Sequence, residues 1–93
     1  MLKDIMQTMA PNVVVFCPTH HHAAEIAEHL KPYACRQRGV RNMQIVGKNV
    51  FITVPYNIYE YTGINQIAYL FHSQFYELAD PELLANSERI MQR

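Results

Sequence analysis

Glycine and long apolar runs are both scarce in this chain of 93 residues. It has three glycines, and no segment fits the Gly-x-x-x-x-Gly-Lys pattern of a phosphate-binding loop. No apolar run approaches the ~20 residues that a membrane-spanning helix needs. Asp4 interrupts the start of the chain, where a signal peptide would continue apolar. We therefore expect a cytoplasmic protein that does not engage a membrane.

Neither the net charge nor the cysteine content of the chain indicates a class of partner or a disulfide. Eight basic and eight acidic side chains cancel, so only the local distribution of charge can indicate a partner. The two cysteines, Cys17 and Cys35, flank a predicted helix that separates them by roughly 18 Å at 1.5 Å per residue. Because Cα atoms joined by a disulfide lie within about 7 Å of each other, we expect two reduced thiols.

The composition, with 49% apolar and 17% charged residues, is typical of one small globular domain over residues 1–93. Four consecutive apolar residues at positions 13–16 predict a strand buried on both faces. Thr19 is placed to cap a helix that begins at His20 and ends before Pro32. The positions of this helix predicted to face the sheet are Ala23, Ile26, Ala27 and Leu30.

A hairpin is predicted over residues 42–54. Gly47 can occupy the first central position of a type II′ turn, which requires a positive φ. The register that follows pairs Ile45 with Val50 and leaves one face apolar.

Three further helices are predicted. The first ten residues have apolar side chains at helical spacing, and so does a longer stretch that begins near Gly63 with Thr62 as its cap. Asp80, followed by a proline, predicts the start of a last helix that runs nearly to the end of the chain.

The element order α-β-α-β-β-α-α predicts a mixed α/β (α+β) fold with a three-stranded sheet. A right-handed crossover makes the first two strands parallel, and the hairpin turns the third back. Because the second and third strands pair with each other, the first strand lies at an edge, although its sequence is that of a central strand. Either helices cover both of its faces, or its free edge pairs with another chain. The second alternative predicts a homo-oligomer.

Residues 31–48 contain five basic side chains and no acid. The predicted topology places three arginines beside three tyrosines, at the end of the sheet where the first strand begins. These residues are Arg36, Arg38, Arg41, Tyr56, Tyr59 and Tyr61. Arginine binds phosphates and carboxylates through a planar fork, and tyrosine offers stacking faces. The pattern indicates a surface for nucleic acid or an acidic protein. The alternative is a solvated loop whose arginines pair with Glu60, Glu77 or the last helix.

Three adjacent histidines begin the predicted helix at the opposite end of the sheet. His20, His21 and His22 lie where the helix macrodipole disfavours protonation, so that neutral imidazoles can bind a metal such as zinc or a small ligand, with Cys17 nearby. Neighbouring helical residues point about 100° apart, so the three do not reach one ion unless the first turn unwinds, whereas His21 and Glu25 share a face. No closed set of four ligands is visible, and we expect no cofactor.

Two segments, Cys17-Pro18-Thr19-His20 and Thr53-Val54-Pro55, combine a cysteine at a strand-to-helix turn with a later proline. They resemble the active-site loop and the cis-proline loop of thioredoxins and glutaredoxins. The resemblance implies a reactive thiolate of low pKa at Cys17, although the second cysteine of that family is missing.

The predicted first strand and helix, with Gln37-Arg38-Gly39 downstream, also resemble the opening of a helicase second lobe and the arginine motif of that family. The chain is shorter than such a lobe, and its arginines come earlier. The resemblance implies that an anion can bind at the start of the helix, at Thr19 and the amides that follow.

No Ser/His/Asp set and no pair of buried carboxylates is evident in the spacing of the residues. We therefore predict a non-enzymatic binding or regulatory module whose arginine and tyrosine residues engage a partner. The second hypothesis is a protein that binds a metal or a small ligand through the three histidines and Cys17.

Overall fold

A computed structural model describes residues 1–92 of the chain as a five-stranded mixed sheet with helices on both faces. Its elements are α1 (Leu2–Gln7), β1 (Asn12–Phe16), α2 (His20–Leu30), β2 (Arg36–Gln37), β3 (Asn42–Ile45), β4 (Lys48–Thr53), β5 (Ile67–Phe71), α3 (Phe75–Leu78) and α4 (Pro81–Met91). The mixed α/β class is as predicted, but the prediction of three strands is wrong. Within residues 1–92, every helix is too short or too polar to reach across a bilayer.

β1 is an interior strand of the sheet. The strand order is β2-β3-β4-β1-β5, and β1 pairs in parallel with both β4 and β5. Val13, Val14, Val15 and Phe16 are fully buried, as expected for a strand covered on both faces. The predicted edge position is wrong, because the sheet contains two strands that the sequence pattern does not reveal. Both edges of β1 are occupied, so this strand offers no edge for a homo-oligomer.

One of these two strands is β5, which lies where apolar spacing predicts a helix. Its five residues form one apolar run, and such a run fits a buried strand as well as a buried helix. Pairing with β1 favours the strand, because both faces of β5 then find apolar partners. Leu70 packs against the layer that contains α2, whereas Tyr69 and Phe71 pack beside Phe16. The predicted helix is reduced to α3.

β2 reverses the direction that the sequence predicts for the hairpin. It consists of two exposed residues, Arg36 and Gln37, which are too few and too polar to show a strand pattern. β2 runs in the same direction as β1, as a crossover connection requires, and β3 turns back against it. The carboxyl end of β4 therefore lies beside the carboxyl end of β1, at the end of the sheet where the prediction places only the histidines.

The hairpin turn also differs from the prediction. Val46 and Gly47 have positive φ values of 50° and 77°, which is the pattern of a type I′ turn rather than a type II′ turn. Ile45 consequently pairs with Lys48 instead of Val50. The register moves by an even number of residues, so the same side chains still face the core.

The predicted starts of α2 and α4 are confirmed, whereas the helix predicted to begin near Gly63 with Thr62 as its cap is wrong, because residues 59–63 form turns. The Thr19 hydroxyl accepts a hydrogen bond from the backbone N–H of His22 at 3.2 Å, and the Asp80 carboxylate accepts one from Leu83 at 2.9 Å. The four predicted sheet-facing residues of α2 are all buried. α1 and α2 cover one face of the sheet and α3 covers the other, whereas α4 packs in both layers, through Leu83 in the first and Ile90 in the second.

Candidate ligand cleft at the carboxyl end of the sheet

A cleft lies at the carboxyl end of β4, where the chain leaves two neighbouring strands in different directions. After β1 it enters α2 on one face, whereas residues 54–66 leave β4 along the other face, where Tyr61 packs against Phe51. In open α/β sheets, ligands bind in the crevice that such a divergence opens. The volume of about 570 Å³ is in the range of small-ligand sites. The cleft is lined by His20, Arg41, Asn42, Phe51, Ile52, Thr53, Val54, Tyr56, Asn57, Glu60, Tyr61 and Ile64.

One wall of the cleft holds a guanidinium group that its neighbours orient. Nη1 of Arg41 lies 2.9 Å from Nδ1 of His20, and Nη2 donates to the His20 carbonyl oxygen at 3.2 Å. Because a guanidinium only donates, Nδ1 of His20 is the acceptor. The His20 ring lies 5.6 Å from the ring of Tyr56. The planar fork has five N–H donors, so Arg41 can bind an anion while it keeps its bonds to His20.

The other wall is polar and includes a carboxylate. The Thr53 hydroxyl donates to Oε2 of Glu60 at 3.3 Å, and the side chain of Tyr61 also hydrogen-bonds with Thr53. Burial raises the pKa of Tyr61 above its ordinary value; the hydrogen bond with Thr53 opposes this shift, and the charge of Glu60 adds to it. Tyr61 therefore stays a neutral phenol. A ligand in the cleft meets a cation on one side and an acid on the other.

The three adjacent histidines turn to three different partners. His20 contacts Arg41, whereas Nε2 of His21 lies 2.7 Å from Oε1 of Glu25, at the spacing the sequence predicts. Nδ1 of His22 lies 2.6 Å from the Thr19 hydroxyl. Within residues 1–92, no three His, Cys, Asp or Glu side chains are grouped so that they could hold a metal ion. The geometry therefore does not favour a zinc site at this corner.

His72, which no motif in the sequence marks, lies next to this corner. The rings of His22 and His72 are 4.7 Å apart, and Nδ1 of His72 accepts a hydrogen bond from the backbone N–H of Gln74 at 3.0 Å. Burial lowers the pKa of His72, the nearby His22 lowers it further, and the charge of Glu25 acts in the opposite direction. The pair joins the start of α2 to the end of β5.

Cys17 is not a reactive thiol. It is fully buried, and burial raises its pKa to about 12, although the positive charge of Arg41 acts in the opposite direction. Thr53 accepts a hydrogen bond from the backbone N–H of Cys17 at 2.8 Å, so the two segments that resemble a thioredoxin site are neighbours. The peptide bond before Pro55 is trans, however. The prediction of a low-pKa thiolate, which the resemblance implies, is wrong.

Alkylation of the folded protein is expected to modify one cysteine. Cys35 is exposed and Cys17 is buried, and only the thiolate form of a cysteine reacts. At a pH of about 8, iodoacetamide should modify Cys17 at least roughly a hundredfold more slowly than Cys35, because a thiol with the raised pKa is almost entirely protonated. Intact-mass measurement of the folded protein, of the unfolded protein and of a Cys35→Ser variant checks this. Rapid labelling of Cys17 in the folded variant would contradict its burial.

Three of the six predicted partner-binding residues line the cleft. Arg41, Tyr56 and Tyr61 are brought together there. His20 joins them, although the sequence predicts the histidines at the opposite end of the sheet. That separation is wrong because β2 reverses the hairpin.

The other three predicted residues lie outside the lining. Arg38 and Tyr59 are in the loops that follow β2 and β4, at the same end of the sheet as the cleft. Arg36 lies in the row of the sheet that contains Asn12, the first residue of β1. The backbone of Arg41 bonds to β4 three rows further on, roughly 10 Å at 3.3 Å per residue. Arg36 therefore lies outside the cleft lining, two rows from the nearest strand residues that line it, Asn42 and Phe51.

Four polar residues of the cleft are not predicted as site residues from the sequence: Asn42, Thr53, Asn57 and Glu60. Thr53 is the last residue of β4, and a polar side chain at the carboxyl end of a buried strand is a signal that could identify it. Glu60 lies in the loop after that strand, and the sequence suggests it only as a partner for the arginines. Its position in the cleft depends on the path of residues 54–66.

Comparison with known proteins does not assign this cleft to a described site. The chain matches no family model, no curated protein and no solved structure.

Proposed function

We propose that this chain is a non-enzymatic binding module that holds single-stranded nucleic acid in the cleft. The observation that supports this function is the placement of the Arg41 guanidinium against His20, whose ring lies near that of Tyr56 in the same cleft. Single-strand binding proteins combine positive charge for the phosphates with aromatic rings on which bases stack. Arg41 would contact a phosphate through its fork, and Tyr56 would stack on a base.

The shape of the cleft favours a nucleic acid strand over an acidic protein surface. A typical protein partner covers about 800 Å² on each side with a broad, closely fitting patch, whereas this site is a concave cleft whose volume suits a nucleotide. The loops at its mouth extend the same chemistry. Arg38 and Tyr59 are exposed at this end of the sheet, where they can contact neighbouring nucleotides of a bound strand.

Titration of a labelled oligonucleotide tests this function. A single strand of roughly 12 nucleotides should bind, and fluorescence anisotropy should show its affinity falling about sevenfold to twentyfold between about 50 and 200 mM salt. This slope corresponds to contacts with two or three phosphates.

Two results would count against the proposal. Absence of binding at the lower salt concentration would refute it directly. Displacement of the oligonucleotide by polyglutamate of similar length and at similar concentration would indicate that the surface recognises acidic polypeptides instead.

A further inference from the structure

The acid in the cleft indicates which class of nucleic acid binds there. We infer that Glu60 selects RNA over DNA by accepting a hydrogen bond from a ribose 2′-hydroxyl. This inference rests on the proposed function, and it assigns to the polar wall of the cleft a role that single-strand binding alone does not need.

A hydrogen bond connects Glu60 to the end of β4. Glu60 is half-buried, and its Oε2 accepts from the hydroxyl of Thr53, which is the last residue of that strand. Glu60 directly precedes Tyr61 in the chain, and its charge adds to the rise in the pKa of that phenol. Glu60 lines the same cleft as Arg41.

A carboxylate is an unfavourable neighbour for a polyanion unless the ligand offers it a donor. Ionised carboxylates only accept hydrogen bonds, with about four lone-pair positions on the two oxygens, and phosphate oxygens cannot donate to them. The sugar of DNA has no hydroxyl group inside the strand. The 2′-hydroxyl of RNA is both a donor and an acceptor, and it is the group by which proteins distinguish the two nucleic acids.

Repulsion between Glu60 and DNA and the hydrogen bond between Glu60 and RNA both favour the binding of RNA. For DNA, Glu60 faces a backbone that supplies negative charge and no sugar donor, so the contact weakens binding. For RNA, the same carboxylate gains a hydrogen bond that one of its lone pairs can accept while Thr53 keeps another. Discrimination that combines an attractive contact for one ligand with a penalty for its competitor is a common source of specificity.

The experiment compares oligouridine, oligodeoxyuridine and 2′-O-methyl oligouridine of equal length. The three ligands carry the same base, so donors on the base do not distinguish them, and the methylated ligand keeps the 2′-oxygen but loses its proton. The unaltered protein should bind oligouridine roughly tenfold more tightly than either of the others, as expected for one hydrogen bond to a charged group.

Glu60→Ala should bind all three oligonucleotides with similar affinity. Glu28→Ala is the matched control, because it removes the same charge from the exposed face of α2 and should keep the preference for RNA. Thermal melting of both variants verifies that they fold. The ligand series on the unaltered protein tests the inference even if Glu60→Ala does not fold.

The possible failures are distinguishable. Equal binding of oligouridine and oligodeoxyuridine by the unaltered protein overturns the role of Glu60 and leaves single-strand binding in place. A preference for RNA that persists in Glu60→Ala also overturns it. Binding of none of the three ligands refutes the proposed function together with this inference.

Discussion

Replacement of Arg41 by alanine is expected to weaken the binding of a single strand by roughly tenfold to a hundredfold, whereas replacement of Arg36 by alanine should change it by less than about twofold. The larger effect corresponds to the roughly 1.5–3 kcal/mol of a hydrogen bond to a charged group. Both substitutions remove one guanidinium from the same basic segment. A difference between the two variants therefore shows that the position of the guanidinium matters, and not only its charge.

The reason for the difference is the orientation of the two side chains. The fork of Arg41 is held by Nδ1 and the carbonyl oxygen of His20 and lines the cleft. A side chain that is already oriented loses less conformational entropy when a ligand binds. Arg36 lies on the two-residue edge strand β2, is exposed and is not part of the cleft lining, so it can contribute only a charge that salt screens.

Anisotropy titrations at one salt concentration measure both variants, and Arg41→Lys adds a third. Lysine keeps the charge but loses the planar fork, so its affinity should lie between those of the unaltered protein and Arg41→Ala. Melting curves that match the unaltered protein show that Arg41→Ala still folds. Equal losses in the Arg36 and Arg41 variants would mean that the basic segment acts through its overall charge and that the cleft does not bind the strand.

The elements that the sequence predicts correctly depend on local signals. The apolar run of β1, the Thr19 cap of α2 and the Asp80 cap of α4 each fix a structure within a few residues of the chain. β5 has no such signal, because its five apolar residues fit a helix or a strand until β1 is available as a partner. β2 has no apolar pattern at all, since Arg36 and Gln37 are both exposed.

Because the sequence does not reveal these two strands, the prediction of the site is less accurate than the prediction of the fold. Without β2, the crossover rule applies to β3 and points the hairpin the wrong way, which separates His20 from Arg41 by the length of the sheet. The structure joins them at 2.9 Å. The polar wall depends on the loop between β4 and β5, so without β5 nothing in the sequence indicates that Glu60 and Thr53 meet. One short polar strand and one ambiguous apolar run thus determine what the cleft contains.

Replacement of Phe16 by alanine is expected to lower the free energy of unfolding by about 3–5 kcal/mol, the usual cost of removing a buried phenylalanine ring. Phe16 is fully buried, and its ring centroid lies 5.6 Å from Tyr69, 5.5 Å from Phe71 and 6.0 Å from Phe75. One side chain therefore connects β1, β5 and α3. Because small domains are stable by about 5–15 kcal/mol, this loss is a large share of the total.

Urea unfolding followed by circular dichroism measures the effect, and Phe16→Leu is the control. Leucine keeps most of the apolar volume, so its cost should be smaller, about 1–2 kcal/mol. Hydrogen exchange at His72 adds a local readout, because its backbone N–H donates to the Phe16 carbonyl oxygen at 2.9 Å and reports whether β5 still pairs with β1. Exchange at this amide should accelerate in Phe16→Ala more than in Phe16→Leu. Rapid exchange in the unaltered protein would contradict the pairing itself, and the segment would then be free to form the helix that its apolar spacing predicts.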